Sequence, residues 1–343
     1  MRSPCLRSEG PIPFRRLVRR SDGCAGVGLV GTPCYNKPMK SAFAAIVGRP
    51  SSGKSTLLNA LCGHKVSIVS PVPQTTRNQV RGIVNRPQGQ VVFLDTPGFH
   101  LSEKKFNKSM MDNVTKSLHD ADVAVYLIDA SRKAGSEEEG LMERLVTLRK
   151  PLVVVLNKTE LKPNYADELE LWAREKLNPK AVVRISALKE LGLDAFFDAI
   201  FANAEEGQAF YPEEFYTDQD PSFRIAEIVR EQAINRLNDE IPHALYVEVA
   251  DRELKDAPPA EGAKPVPTLW LRVFLIVERE SQVGIVVGKG GEKIKEIRQA
   301  AQKELGKIFT QRIHLDLRCK ADPKWRSKDH LIQSILGSSQ PKP

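Results

Sequence analysis

FAAIVGRPSSGKSTLLNAL, residues 43–61, decides the fold. FAAIVG (43–48) is a continuous apolar run of the kind a strand buried on both faces requires, and STLLNAL (55–61) reads as a helix. Between them, GRPSSGKST (48–56) fits the pattern G-x-x-x-x-G-K-[ST]. Glycines at these positions let backbone N–H groups wrap a phosphate chain, and the helix that follows adds its N-terminal dipole. The phosphate-binding set is therefore Gly48, Arg49, Pro50, Ser51, Ser52, Gly53, Lys54, Ser55 and Thr56. Lys54 would bridge the terminal phosphates and Ser55 would ligate Mg²⁺. A chance glycine turn beside a solvated lysine is the plain alternative, and the position between strand and helix argues against it.

Downstream, apolar strands alternate with helical stretches: VVFLDT (91–96), VAVYLIDA (123–130), PLVVVLNK (151–158) and AVVRISA (181–187). This pattern predicts a mostly parallel α/β sheet with helices on both faces and ligands at the carboxyl ends of its strands. YPEEFYTDQDP (211–221) then separates a second pattern of order α-β-β-α-α-β, a compact α+β domain. Its segments are a helix over 223–238, strands over 244–250 and 268–278, a short apolar helix, GKGG, a helix over 292–305, a strand over 313–319 and a last helix over 324–336. The expected organisation is a leader over 1–40, a nucleotide domain over 41–205, a linker over 206–222, the α+β domain over 223–337 and a tail over 338–343.

The net charge of +8 suggests nucleic acid, but residues 1–40 hold eight Lys or Arg and two acids, leaving only +2 for residues 41–343. Any basic surface of the folded part must be local. The leader is acid-poor and Arg-rich without clear amphipathicity, and Met39 stands just before the first strand. A start assigned too far upstream is the favoured reading over a targeting leader. No apolar run approaches a membrane span. Cys5, Cys24, Cys34, Cys62 and Cys319 lack metal spacing, so reduced thiols in a cytoplasmic protein are expected, without zinc or disulfides.

Asp95, Thr96, Pro97, Gly98 and Phe99 close the strand beginning at Val91. A carboxylate there can hold Mg²⁺ through water, and the Gly98 N–H can meet a γ-phosphate. A lone Asp-Thr-Pro-Gly would be only a turn; after a P-loop strand it becomes the second half of a metal site. Asn157, Lys158, Thr159 and Glu160 end one strand, and Ser186, Ala187 and Leu188 end another. An Asn amide, an acid and a backbone N–H aimed at O6 read guanine and leave adenine with unpaired partners.

GKGG (288–291), after VGIVV and before an amphipathic helix, fits the GxxG turn of a KH domain, where glycines admit a sugar-phosphate backbone beside an apolar groove. Gly288, Lys289, Gly290, Gly291 and Lys293 are the RNA-binding candidates. Between Gly288 and Arg312 seven Lys or Arg face three acids, and the excess begins inside the turn. His64, His100 and His314 have no companions at metal spacing and read as surface or hydrogen-bonded residues. Trp172, Trp270 and Trp325 read as packing residues.

GRPSSGKS, QTTRN (74–78), DTPG, NKTE and SAL, in that order, resemble the five motifs of translation-factor-related GTPases. With the type II KH order, residues 41–337 are similar to the Era-like family. The resemblance implies a GTP- and Mg²⁺-dependent switch in which Gln74, Thr75, Thr76, Arg77 and Asn78 form switch I, Thr76 contacting Mg²⁺ and the γ-phosphate. It also implies binding of 16S ribosomal RNA near its 3′ end and a role in 30S subunit assembly with the 30S precursor as partner. A monomer in the cytoplasm with peripheral contact to the inner membrane is expected on the same ground.

Three departures qualify the resemblance. Relatives usually carry Asn where this chain has Ser51, and that Asn can help hold K⁺, so a K⁺ cofactor is doubtful here. Their base motif ends in Asp, one methylene shorter than Glu160. Phe99 replaces the water-orienting residue of Ras-like enzymes, although an apolar residue is usual in this family. Slow intrinsic turnover is therefore expected, since positioning and charge stabilisation can suffice without a protein base. Two rivals stand beside this reading: an RNA-assembly module that binds GTP with little hydrolysis, and a P-loop ATPase or kinase, which Glu160 alone motivates.

Overall fold

A computed structural model of the protein describes residues 39–72, 75–99, 105–238, 240–256, 267–323 and 325. Most of the leader, Gln74, His100, the tail and, Trp325 apart, the helix expected over 324–336 lie outside the described residues.

The chain begins with β1 (Lys40–Val47), α1 (Lys54–Cys62), β2 (Val80–Arg86), β3 (Gly89–Asp95), α2 (Lys105–Asp120) and β4 (Val123–Asp129). It continues through α3 (Ser136–Val146), β5 (Leu152–Asn157), α4 (Ala166–Leu177), β6 (Ala181–Arg184), α5 (Leu193–Ala202) and β7 (Glu205–Glu206). Among the described residues these strands form one seven-stranded sheet, ordered β2-β3-β1-β4-β5-β6 with β7 against β1. The β3-β1-β4-β5-β6 pairings are parallel. Residues of β3, β4 and β5 are buried on both faces, which explains why their sequences are unbroken apolar runs. Phe93, Phe196 and Phe197 lie in the core on one face, and Phe99, Leu118 and Leu141 in the core on the other.

β2 and the two-residue β7 escape the periodicity. β2, the antiparallel edge strand on β3, reads VRGIVNR and mixes charge with apolar residues. Its outer edge is not left bare: Ile83 N–H donates to the Tyr216 carbonyl (3.0 Å), Thr217 Oγ1 to Arg81 (2.8 Å), and Arg81 pairs with Asp218 (2.6 Å). The acidic, aromatic segment after β7 thus straps the edge, which protects its backbone groups from foreign strands.

The second half comprises α6 (Pro221–Ile234), α7 (Ile241–Ala244), β8 (Tyr246–Asp256), β9 (Pro267–Val277), α8 (Glu280–Val287), α9 (Glu292–Leu305) and β10 (Arg312–Ala321). Asp220 caps α6 by accepting from the Ser222 (2.7 Å) and Phe223 (3.3 Å) amides, with Pro221 opening the first turn. The sheet order is β10-β9-β8, antiparallel between β8 and β9 and parallel between β9 and β10. Alternation is clean: Leu271, Val273, Leu275, Leu315 and Leu317 join the core with Ile225, Ile297 and Leu305. Trp270, Arg272, His314 and Arg318 stand on the opposite face. Trp270 packs on this outer face and not in the core: it is 40% exposed and lies against His314, ring centroids 3.7 Å apart.

Candidate nucleotide site and nucleic-acid interface

Helix α1 starts at Lys54, so the P-loop glycines sit at the carboxyl end of β1 as the motif requires. Lys54 is buried, and its Nζ donates to the carbonyls of Gly48 (3.0 Å) and Arg49 (2.8 Å). Burial pulls the ammonium down to about 8, against the opposing charge of Asp95. Ser55 Oγ donates to Asp95 Oδ2 (2.8 Å) and lies 2.9 Å from Thr76 Oγ1. Ser67 Oγ donates to the same Asp95 oxygen at 2.8 Å.

Asp95 Oδ1 is buried without a hydrogen-bond partner, and burial raises the carboxyl's pKa despite Lys54, Ser55 and Ser67. Hard oxygens of Ser55, Thr76 and Asp95 therefore converge, Ser55 Oγ lying within hydrogen-bond distance of the other two, while Asp95 keeps a second carboxylate oxygen unpaired. That donor set fits a hard divalent cation such as Mg²⁺.

The strand-end segment Asp95–Phe99 passes close over the P-loop. A Cβ on Gly98 would lie 2.8 Å from Pro50 Cα, so a larger residue would force the two segments apart. Phe99 N–H donates to the Gly48 carbonyl (3.0 Å), and Thr96 Oγ1 to Ile46 (2.8 Å). The Phe99 side chain is 1% exposed and lies in the core, with Arg144 above its ring. It anchors the segment and has no means of orienting water. The resulting groove, about 360 Å³, is lined by Ser51, Lys54, Ser55, Thr76, Gly98 and Lys158 among others.

At the base-reading end, Asn157 Nδ2 donates to the Ser52 carbonyl (2.9 Å) and Oδ1 accepts from the Ala187 amide (2.9 Å). Asn157 is thus a strut joining the P-loop to the Ser186–Leu188 turn, and the Ala187 N–H is engaged with it and not directed at a base. A buried amide must be paired, which explains the arrangement; one Nδ2 hydrogen remains as a donor. Lys158 Nζ donates to the Ser51 carbonyl and to Asp129 Oδ2, both 2.8 Å. Thr159 Oγ1 donates to Ile185 (2.9 Å). Glu160 Oε2 is buried without a hydrogen-bond partner, as an acid awaiting N–H donors would be. Ser186 and Ala187 are buried and Leu188 is exposed.

Several residues of this network carry no motif. Asp129, at the end of β4, accepts from Lys158 and pairs with Arg49 (3.1 Å), which also pairs with Glu138 (2.8 Å). Burial opposes ionisation of Asp129, but hydrogen bonds from Lys158 and Ser131 outweigh it and hold the carboxyl below its usual range. The available signal was position: an acid at the carboxyl end of a central parallel strand. For Ser67 no sequence signal exists.

At the KH turn, Gly290 and Gly291 adopt φ of 62° and 81°, and a Cβ on either would meet nothing within 4 Å. The backbone there is open to an approaching ligand. Lys289 is exposed, and Lys293 pairs with Glu296 at 3.7 Å. Ile285 is exposed, Val283 and Ile294 are half-buried against the core, and Val286 anchors α8 in it.

Residues 43–158 match a family described as a 50S ribosome-binding GTPase, and residues 240–326 match a KH domain. GTPase Era of Borreliella burgdorferi is 43% identical over 299 residues, covering 87% of this chain and 100% of that one. GTPase Era of Treponema denticola is 45% identical over 300 residues, covering 87% and 99%. An Aquifex aeolicus Era variant bound to GDP·AlF₄⁻ superposes with a TM-score of 0.81 at 34% identity, covering 88% of this chain and all of that one. Era in complex with MgGDPNP and nucleotides 1506–1542 of 16S ribosomal RNA gives 0.80 at 35% identity, with the same coverage. With both halves matched in order and the relatives spanned end to end, the chain belongs to the GTPase Era family.

Proposed function

We propose that the chain binds and hydrolyses GTP in the groove between the P-loop and Asp95 and binds single-stranded 16S ribosomal RNA near its 3′ end at the GKGG turn. The observation that carries the nucleotide half is the convergence of Ser55, Thr76 and the orphaned Asp95 carboxylate beside Lys54. Ser55 and Thr76 would hold Mg²⁺ directly and Asp95 through water. The bound ion would supply neutralisation of charge on the phosphates during transfer. Lys54 turns from the P-loop carbonyls to the terminal phosphates, and the Gly98 amide meets the γ-phosphate. Glu160, with Asn157 behind it, selects guanine, and Lys158 lies across Ser51 to close that end.

Phe99 leaves water-ordering to backbone groups, a cation or the bound RNA, so intrinsic turnover is slow. Ser51 offers its exposed side chain at φ 60° while its carbonyl is taken by Lys158, which supports turnover without a K⁺ requirement. At the RNA turn, the open glycines, Lys289 and the exposed Ile285 of the preceding helix suit a short unpaired segment. Action on the 30S precursor in the cytoplasm follows from that ligand; peripheral membrane contact rests on the resemblance alone. Among the described residues no helix is long and apolar enough to cross a membrane.

Single-turnover phosphate release from GTP, with and without Mg²⁺ and RNA, tests the reading. Release from GTP that excess ATP does not suppress is expected. Efficient displacement of GTP by ATP overturns the base assignment, and binding without release favours a GTP-binding assembly module.

A further inference from the structure

Both neighbours of Thr76 are held by residues of the second half. The Thr75 carbonyl accepts from Arg230 Nη2 at 2.6 Å. Arg77 Nη1 donates to the Leu245 carbonyl at 2.6 Å, and its guanidinium lies 5.7 Å from the centre of the Trp325 ring. Arg230 is 2% exposed and is itself gripped by Glu227 one turn earlier on α6, through Nε (2.7 Å) and Nη2 (2.6 Å).

The next residue of the helix reaches a second part of the same site. Glu231 accepts the Val69 amide (2.9 Å) and pairs with Lys65, in the loop that carries Ser67 and hence the Asp95 hydrogen bond. One turn of α6 therefore touches both the peptide entering Thr76 and the loop bracing Asp95. Helix α6 packs in one core with α9, which begins directly after the GKGG turn.

A buried guanidinium whose task was only to fill space would be poorly chosen, because an apolar residue of similar length avoids its desolvation. Its directional contact with a main-chain carbonyl gives it a different use. A displacement of about 1 Å in a group that must meet a phosphate can cost roughly a hundred-fold in rate. We propose that Arg230 is a positioning residue for Thr76, through which the RNA-binding half sets how readily the switch threonine meets the γ-phosphate. This rests on the GTPase reading above.

Arg230→Met in the full chain keeps the length and removes the donors. Fluorescent GDP and a non-hydrolysable GTP analogue are titrated separately, and amide hydrogen exchange is followed over residues 75–78. GDP affinity should stay within about two-fold of wild type, while preference for the analogue falls roughly ten-fold, the expected loss for a charge-assisted hydrogen bond. Exchange over 75–78 should quicken. An RNA matching the 16S 3′ end should shift analogue preference in wild type and not in the variant. Arg230→Lys, which retains the charge and one donor, should fall between, and it is read instead if the Met variant does not fold.

Unchanged analogue preference and unchanged exchange in a folded variant overturn the positioning role. A wild-type chain that fails to bind either guanine nucleotide overturns the GTPase reading itself, so the two failures are distinct.

Discussion

In the nucleotide groove the lysines and the amide are engaged with other protein groups, Lys54 with two carbonyls, Asn157 with Ser52 and Ala187, Lys158 with Ser51 and Asp129, while Asp95 and Glu160 each keep one buried oxygen unpaired. At the GKGG turn Lys289 and Gly290 are exposed, and nothing stands within 4 Å of where a Cβ on Gly290 or Gly291 would sit. The first region is assembled around a ligand whose charge must be matched in a buried setting, where misplaced dipoles are expensive to reorganise. The second only has to let a flexible strand approach. Changes in the groove should therefore act through many partners, whereas changes at the turn should act on one ligand alone.

The largest break in that comparison should come from Asp95→Asn. It preserves shape while removing a charge that burial disfavours, so phosphate release should fall roughly a hundred-fold or more while the nucleotide-free protein melts no lower than wild type. Parallel turnover assays and thermal melts check this; lost folding along with lost activity would mean the carboxylate is a structural member. At the turn, Lys289→Asp with Gly290→Asp should weaken RNA binding by at least about ten-fold and leave GTP titrations unchanged. Loss of both would show that the turn is not the independent region it resembles.

A pH titration sharpens the contrast further. Lys54 titrates near pH 8 in the folded, nucleotide-free chain and at its ordinary 10.5 when unfolded. Between those values the unfolded chain binds more protons, so this group favours the folded state as pH rises. Phosphate binding needs the ammonium, so nucleotide affinity should fall above pH 8, by up to about ten-fold per unit, while RNA binding shows no such break there. Calorimetry across pH 7–9.5 checks both limbs.

The smallest effect concerns Ser51. Wild-type turnover should be alike in K⁺ and Na⁺, and Ser51→Asn should introduce a preference for K⁺ of a few-fold, Asn being also better suited than Ser to φ 60°. A strong K⁺ dependence in wild type would contradict the account of this position.

The parallel strands and the P-loop were legible because burial on two faces leaves unbroken apolar runs, and because glycine and lysine spacing is dictated by phosphate geometry. β2 was not legible: an edge strand covered by another segment needs no apolar run, and the segment that covers it lies far along the chain. The same holds within the site. Lys54, Ser55 and Asp95 carry motif signatures, but Ser67 and Arg230 work through neighbours that only the tertiary fold supplies. Asn157 shows a third case, in which the residue was legible and its partners were not, since its bonds join two distant loops.

The most direct test of the central claim is single-turnover release of phosphate from Mg²⁺·GTP by the full chain, measured alone and with a single-stranded RNA carrying the 16S 3′ end. Slow release alone and a faster rate with RNA, unaffected by excess ATP, are predicted. No release in either condition, or release that RNA leaves unchanged, would contradict a GTPase whose switch is coupled to its KH domain.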